Sequence, residues 1–80
     1  MNSGQAPSGE EAVLEYFSSD YHVVRRGSYV TCAVTGAQIP LSDLRYWSEA
    51  LQEAYVSSQA ASQRYDEWQA GKVSPPGKSD

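Results

Sequence analysis

Apolar and polar residues alternate over the first half of the chain, in three short runs separated by turn-forming residues. The runs span residues 12–17 (AVLEYF), 21–25 (YHVVR) and 28–34 (SYVTCAV). A period of two is typical of strands with one buried face, and the Ser-Ser-Asp and Arg-Gly sequences between the runs favour tight turns. The pattern predicts a small antiparallel three-stranded sheet over residues 12–34.

In the second half of the chain, apolar residues recur at steps of three and four, which indicates helix. This stripe comprises Leu51, Ala54, Tyr55, Ala61, Tyr65 and Trp68, and we expect it to be buried against the sheet. Ser48 is a residue type that caps helix N-termini. Glu49 would then lie in the first turn, where the helix dipole stabilises a negative charge. We expect one or two C-terminal helices over residues 48–69, and we favour two because Ser58 is suited to cap the second. Sheet and helices together make the predicted fold class α+β.

The two ends of the chain differ in composition from its centre. Residues 1–11 and 70–80 are rich in Ser, Gly, Pro and charged residues and contain almost no apolar side chains. Such segments cannot bury enough apolar surface to offset the entropy lost on ordering them. We therefore expect two disordered tails, 1–11 and 70–80, around a single α+β domain at residues 12–69.

Composition and charge narrow the class of protein. All nine aromatic residues lie within 12–69, which suits a small core built largely from aromatic side chains. The single cysteine precludes an intrachain disulfide, and no stretch has the pattern of a signal peptide or a membrane span, so we expect a cytoplasmic protein. The net charge of −4 disfavours nucleic acid as the partner.

The most specific motif is the run at residues 32–36 (CAVTG). It resembles the zinc knuckle Cys-x-x-Cys-Gly, in which two thiolates lie on a tight turn, except that Thr35 stands where the second cysteine would be. The pair Tyr46 and Trp47, followed by the helical pattern, resembles the second half of small treble-clef zinc modules, with Leu51 in the place of one missing cysteine. By analogy we interpret the chain as a degenerate, treble-clef-like fold in which an apolar core replaces zinc.

Longer stretches of the sequence resemble a known family. The stretches are LEYFSSDYHVVRRGSYVTCAVTG, IPLSDLRYWS and QEAYVSS, which together cover most of residues 12–64. They resemble an uncharacterised domain-of-unknown-function family of short proteobacterial proteins. The resemblance implies the domain boundaries and a bacterial, cytoplasmic origin, and it implies no activity, cofactor or catalytic residue.

Two residues, Cys32 and His22, are candidates for metal chemistry. Two side chains cannot complete a tetrahedral zinc site, so such a site would need further ligands at a subunit interface. The alternation that places Cys32 between Val30 and Val34 favours a buried, structural thiol. No residues in the sequence have the spacing of a catalytic or metal site, so we expect no cofactor, no resident metal and no enzymatic activity.

A further group of residues has the side-chain types that dominate binding hot spots. These partner-binding candidates are Arg25, Arg26, Arg45, Tyr46 and Trp68. They favour a small non-enzymatic protein-interaction module that binds a protein partner or forms a homodimer. Two alternatives stay open: a zinc-binding domain using Cys32 at a subunit interface, and a weak nucleic-acid binder using Arg25, Arg26 and Arg45.

Overall fold

The computed structural model describes residues 9–76 of the chain. Within that range, six short strands, one 3-10 turn and one α-helix follow each other. They are β1 (Val13–Tyr16), β2 (Tyr21–Arg25), β3 (Tyr29–Thr31), β4 (Gln38–Pro40), the 3-10 turn (Leu41–Asp43), β5 (Tyr46–Ser48), β6 (Glu53–Tyr55) and α1 (Ser58–Gln69). The predicted α+β class is confirmed. No helix in the described part of the chain has the length and apolar composition needed to cross a membrane.

The six strands form three separate antiparallel pairs, β1–β2, β3–β4 and β5–β6. The predicted three-stranded sheet over residues 12–34 is therefore wrong, because β3 pairs with β4 and not with β2. The reason lies in burial. Val30 of β3 lies opposite Ile39 of β4, and these side chains are 4 % and 2 % exposed, whereas Val24 of β2 is 63 % exposed. Pairing β3 with β4 puts two apolar side chains into the core together.

The β5–β6 hairpin occupies the place of the first predicted helix, so the helix predicted to begin at Ser48 is wrong. The Ser48 hydroxyl accepts a hydrogen bond from the Leu51 N–H at 2.9 Å, which closes the hairpin turn instead of capping a helix. The N-cap of α1 is Ser57, whose hydroxyl accepts a hydrogen bond from the N–H three residues further on at 3.1 Å. Among the described residues only the second predicted helix forms, and its cap is Ser57 rather than Ser58.

The predicted tails, 1–11 and 70–80, lie largely outside the described residues. Before residue 12, the described chain already runs along the start of β3, because the Ser28 N–H donates a hydrogen bond to the Glu10 carbonyl at 2.9 Å. At the other end α1 ends at Gln69, and after the C-cap residue Ala70 comes Gly71, whose φ of 79° is a left-handed conformation that glycine adopts without strain.

The core lies where the three hairpins and α1 meet. Its buried residues are Ala12, Tyr16, Val30, Cys32, Ile39, Leu44, Leu51, Ala54, Tyr55 and Ala60. Trp47 joins β5 to the first hairpin, because its ring stacks on Tyr16 at 6.2 Å between centroids and meets Tyr21 edge-on at 5.5 Å. Its Nε1 also donates a hydrogen bond to the Phe17 carbonyl at 2.7 Å. Burial first, and then the nearby Glu11 carboxylate, raises the pKa of Tyr16 to about 12, so this phenol stays neutral.

Gln52 connects the first hairpin to the turn between β5 and β6. Its side-chain amide accepts a hydrogen bond from the Tyr16 N–H at 3.0 Å and donates one to the Tyr16 carbonyl at 2.7 Å, as a neighbouring strand would. It donates a further one to the Glu49 carbonyl at 2.8 Å. Gln52 itself has a φ of 55°, a left-handed conformation that residues other than glycine rarely adopt. The amide contacts therefore hold a strained residue in place.

We expect Gln52→Gly to lower the free energy of unfolding by about 2 kcal/mol and Gln52→Ala to lower it by about 3 kcal/mol. Both variants lose three hydrogen bonds of about 1 kcal/mol each, but only glycine relieves the left-handed φ, by about 1 kcal/mol. Urea unfolding followed by tryptophan fluorescence measures both values. Equal stability of the two variants would contradict the strain at Gln52. Wild-type stability of the glycine variant would contradict the role of the amide.

Candidate functional site

A groove of about 400 Å³ lies between the β5–β6 hairpin and α1. We call it the aromatic groove. The residues that define it are Trp47, Leu51, Tyr55, Tyr65, Asp66 and Trp68. Clefts that bind ligands have volumes of roughly 300–1,000 Å³ and mostly apolar walls with a few polar groups. The groove therefore has the size and lining of a binding site.

The helical wall of the aromatic groove follows from the spacing of residues along α1. Tyr65 and Trp68 are three residues apart, so they lie on the same side of the helix. Ala61, one turn before Tyr65, also lines the groove, and its small side chain leaves space between helix and hairpin. Tyr65 is 58 % exposed and Trp68 is half-buried, and neither belongs to the buried core. This wall thus presents two large aromatic rings to a ligand.

The hairpin wall is fixed by the core. Tyr55 is buried, and its hydroxyl donates a hydrogen bond to Glu53 Oε2 at 2.9 Å. Burial first, and then the Glu53 carboxylate, raises the pKa of Tyr55 well above its usual value, so the ring stays neutral and in place. Trp47 is held by its stacking on Tyr16. A wall formed before the ligand arrives loses little conformational entropy on binding.

The charge of the aromatic groove is negative. Of the described residues that line it, Asp66 carries the one formal charge, and none is a lysine or arginine. The nearest arginine along α1, Arg64, is already engaged: its Nε lies 2.8 Å from Glu53 and its Nη1 lies 3.0 Å from Glu67. Its Nη2 donates a hydrogen bond to the Ala33 carbonyl at 2.8 Å. Arg64 therefore connects α1 to the β5–β6 hairpin and to the turn at residues 32–36, and it does not neutralise the charge of Asp66 in the groove.

The knuckle turn at residues 32–36 is formed, with Cys32 at its start. The Gly36 N–H donates a hydrogen bond to the Cys32 carbonyl at 3.0 Å, and the Thr35 N–H points at the sulfur at 3.4 Å. Burial alone would raise the pKa of the Cys32 thiol. The Thr35 hydroxyl and the N–H groups of Thr35, Val56 and Val34 outweigh burial, so that the pKa lies below its usual value. The side chain is 2 % exposed, which withholds the sulfur from reagents in solution.

His22, the second metal candidate, lies on a different hairpin from Cys32. It is exposed on β2, where it pairs with Glu15 of β1, while Cys32 follows β3. Over residues 9–76, no three His, Cys, Asp or Glu side chains lie close enough together to hold a metal ion.

The predicted partner-binding residues fall in three different places. Arg25 and Arg26 are exposed at the end of β2, where Arg25 borders a second groove of about 370 Å³. Arg45 and Tyr46 are exposed at the start of β5 and line neither of these two grooves. Trp68 lies in the aromatic groove. The structure thus separates Trp68 from the four others.

Of the six residues that define the aromatic groove, only Trp68 was among the predicted partner-binding residues. The helical spacing assigned Tyr65 to the buried stripe, but the ring is 58 % exposed. The signal that could have identified it is the change of side-chain size along the helix. Ala60 is small and buried against the core, and one turn later the large rings begin. A large apolar ring that the core does not bury stays available as an interaction surface.

One comparison with known proteins identifies the family. The profile of a family described as an uncharacterized protein conserved in bacteria (DUF2093) matches residues 23–64, which is more than half of the chain. The chain belongs to this family. No curated protein and no solved structure matches the chain. The matched region includes the knuckle turn and both later hairpins, while Tyr65 and Trp68 lie just beyond it.

Proposed function

We propose that this protein is a small non-enzymatic protein-interaction module that binds a short peptide segment of a protein partner in the aromatic groove. The observation that carries the proposal is the groove itself, about 400 Å³ in volume and walled by four aromatic side chains. Tyrosine and tryptophan bury a large area at little cost in side-chain entropy, and they dominate binding hot spots. Tyr65 is 58 % exposed, so folding leaves its surface available for a partner.

Charge decides which peptide fits best. Asp66 lines the aromatic groove and forms no ion pair with another described residue, and Arg64 is engaged by Glu53 and Glu67. The chain as a whole carries a net charge of −4, which attracts basic segments. We therefore specify the ligand as a peptide with proline or aliphatic side chains for the aromatic walls and one lysine or arginine for Asp66.

We also propose that the fold is a degenerate treble clef. Its support is the knuckle turn, in which backbone N–H groups converge on the Cys32 sulfur, and the order of elements that follows it, hairpin and then helix. One of those N–H groups belongs to Val56, directly before the Ser57 cap of α1. On this interpretation hydrogen bonds to one sulfur take the place of a metal, and the module binds its partner with aromatic side chains.

The two alternative functions have weaker support. A zinc site at a subunit interface needs Cys32 to reach a second chain, and its 2 % exposure opposes that. Nucleic-acid binding is favoured by Tyr46, which is 41 % exposed next to the exposed Arg45, and it is opposed by the net charge.

Selection of peptides tests the proposed function. Random peptides displayed on phage are enriched on the immobilised full-length protein, and the affinity of synthetic copies is measured by isothermal titration calorimetry. We expect enriched peptides that combine proline or aliphatic residues with a lysine or arginine. Tyr65→Ala and Trp68→Ala should each raise the dissociation constant at least tenfold, because hot-spot aromatic residues contribute about 2 kcal/mol. Asp66→Asn should raise it about threefold and weaken its salt dependence.

The matched control is Tyr46→Ala, because Tyr46 is also an exposed aromatic residue but lies outside the aromatic groove. This variant should bind the enriched peptides with wild-type affinity. If it loses affinity while Tyr65→Ala retains it, the peptide binds at Arg45 and Tyr46 and the groove proposal is wrong. Failure of any peptide to enrich, in a protein whose fold is confirmed by its amide NMR spectrum, would also overturn it.

A further inference from the structure

A second groove, about 370 Å³ in volume, lies between the β1–β2 hairpin, β3 and β6. We call it the polar groove. The residues that define it are Glu11, Val13, Leu14, Tyr16, Arg25 and Val30. None of these six lines the aromatic groove. A ligand bound in the polar groove therefore leaves the aromatic groove open to a peptide.

Two opposite charges line the polar groove without neutralising each other. Glu11 and Arg25 are both exposed, and neither forms an ion pair with any residue between 9 and 76. The backbone of Glu11 is fixed by its bridge to Tyr29. A bulge in β2 brings Arg25 opposite Val13, and bulges often redirect a side chain at a functional site. The groove thus presents one negative and one positive group to a ligand.

The buried ring of Tyr16 brings an unbonded hydroxyl to the same groove. Tyr16 is 6 % exposed, and its backbone groups bond to Gln52. Its hydroxyl forms no hydrogen bond with any residue in the described part of the chain, and it is not sealed off from the groove. Burial first, then Glu11, and after it Tyr21 and Glu53, raise the pKa of Tyr16 to about 12, so the hydroxyl stays protonated near these carboxylates. A polar group on a buried ring costs stability unless it is bonded, so this hydroxyl is available to a ligand.

The second carboxylate beside the groove, that of Glu53, is already engaged. Its Oε2 accepts a hydrogen bond from the Tyr55 hydroxyl at 2.9 Å and lies 2.8 Å from Arg64 Nε. Its charge is therefore compensated within the protein. The charges left for a ligand are those of Glu11 and Arg25, which sum to zero. A ligand that matches both carries one positive and one negative group and is neutral as a whole.

We propose that the polar groove binds a free α-amino acid with an aliphatic side chain. The ammonium group lies against the Glu11 carboxylate and the Tyr16 hydroxyl. The carboxylate lies against Arg25, whose guanidinium can donate two parallel hydrogen bonds to it. The aliphatic side chain packs on the apolar part of the wall. This part of the wall is formed by Val13, Leu14 and Val30.

An α-amino acid fits better than a longer peptide because its two charges lie within a few bonds of each other. The ends of a longer peptide carry the same charges far apart, so one end could match only one side of the groove. A volume of about 370 Å³ is within the range of small-molecule sites.

Amide NMR titration of the full-length protein tests the site, with L-leucine as the probe. L-Leucinamide keeps the ammonium group and lacks the carboxylate, whereas N-acetyl-L-leucine keeps the carboxylate and lacks the ammonium group. We expect L-leucine to bind and to shift the amide signals of the residues that line the polar groove. Each analogue should bind about tenfold more weakly, because it leaves one charged group of the groove unpaired.

Two variants assign the charges. Arg25→Gln should raise the dissociation constant of L-leucine about tenfold and should no longer distinguish L-leucine from L-leucinamide. Glu11→Gln should raise it about tenfold and should no longer distinguish L-leucine from N-acetyl-L-leucine. Tyr16→Phe keeps the ring and should raise it about threefold. The matched controls Arg26→Gln and Glu15→Gln change exposed residues that do not line the groove, and both should bind L-leucine with wild-type affinity.

L-Leucine that shifts no amide signals at millimolar concentration overturns the proposal, as does wild-type affinity in both Arg25→Gln and Glu11→Gln. An analogue that binds as tightly as L-leucine also overturns it. Tight binding of L-leucinamide would leave a site for cations, and tight binding of N-acetyl-L-leucine would leave a site for anions. Tyr65→Ala alters the aromatic groove and should leave L-leucine binding unchanged, so the amino-acid site and the peptide site fail independently.

Discussion

Gly27→Ala should lower the free energy of unfolding by about 3 kcal/mol or more, the largest effect we expect from a single methyl group in this protein. A Cβ atom at Gly27 would overlap the Ala12 nitrogen and the Glu10 carbonyl oxygen, and it would lie 2.6 Å from the Ala12 Cα. All three are backbone atoms, so no side-chain rotation relieves the overlap. The segment itself has to move.

That segment is held on both sides. The Glu10 carbonyl accepts a hydrogen bond from the Ser28 N–H at 2.9 Å, and the Ala12 N–H donates one to the Tyr29 carbonyl at 2.7 Å. Ala12 is also buried in the core at 4 % exposure. Moving the segment therefore breaks backbone hydrogen bonds and opens the core beside β3.

Urea unfolding followed by tryptophan fluorescence measures the effect, and Gly36→Ala is the matched control. Gly36 has a φ of 80°, but no atom lies within 4 Å of a Cβ placed there. Its substitution introduces backbone strain without a clash and should lower stability by about 1 kcal/mol. A Gly27→Ala variant that loses no more stability than Gly36→Ala would contradict this prediction, because it would show that the segment around Glu10 and Ala12 moves aside with little loss of stability.

Arg64→Ala should lower the free energy of unfolding by about 2–3 kcal/mol. The guanidinium is 18 % exposed, and it joins three parts of the fold: Glu53 of β6 at 2.8 Å, Glu67 of α1 at 3.0 Å and the Ala33 carbonyl of the knuckle turn at 2.8 Å. Removing it leaves the Glu53 carboxylate partly buried beside the Tyr55 hydroxyl without a cation. An uncompensated charge in such a position is costly, although partial exposure keeps the effect below that of a fully buried pair.

Two further variants isolate the cause. Arg64→Lys keeps the charge but reaches fewer acceptors, so it should recover only part of the lost stability. Arg45→Ala, at an exposed position, should change stability by less than about 0.5 kcal/mol. If Arg45→Ala and Arg64→Ala have the same effect, the Arg64 contacts do not hold the helix to the knuckle turn.

Part of the candidate site could be predicted from the sequence. Trp68 was a candidate because tryptophan is one of the side-chain types that dominate binding hot spots, and it does line the aromatic groove. Tyr65 was assigned to the buried stripe because helical spacing reports which side of a helix a residue is on and does not report where the opposing surface ends. The aromatic groove is bounded by the β5–β6 hairpin on one side and by α1 on the other, so it depends on how hairpin and helix pack.

By itself the sequence determined the α+β class, the position of β2, the knuckle turn at residues 32–36 and the family, because these depend on local pattern and turn chemistry. Tertiary structure decided the pairing of β3 with β4 and the hairpin at β5–β6. The alternation of apolar and polar residues assigns side chains to a face of a strand but does not determine which strand pairs with it. Burial of Val30 against Ile39 determined that β3 pairs with β4. Leu51 and Tyr55 have helical spacing, yet a hairpin with a tight turn buries both. Only tertiary packing therefore distinguishes a helix from a hairpin in this segment.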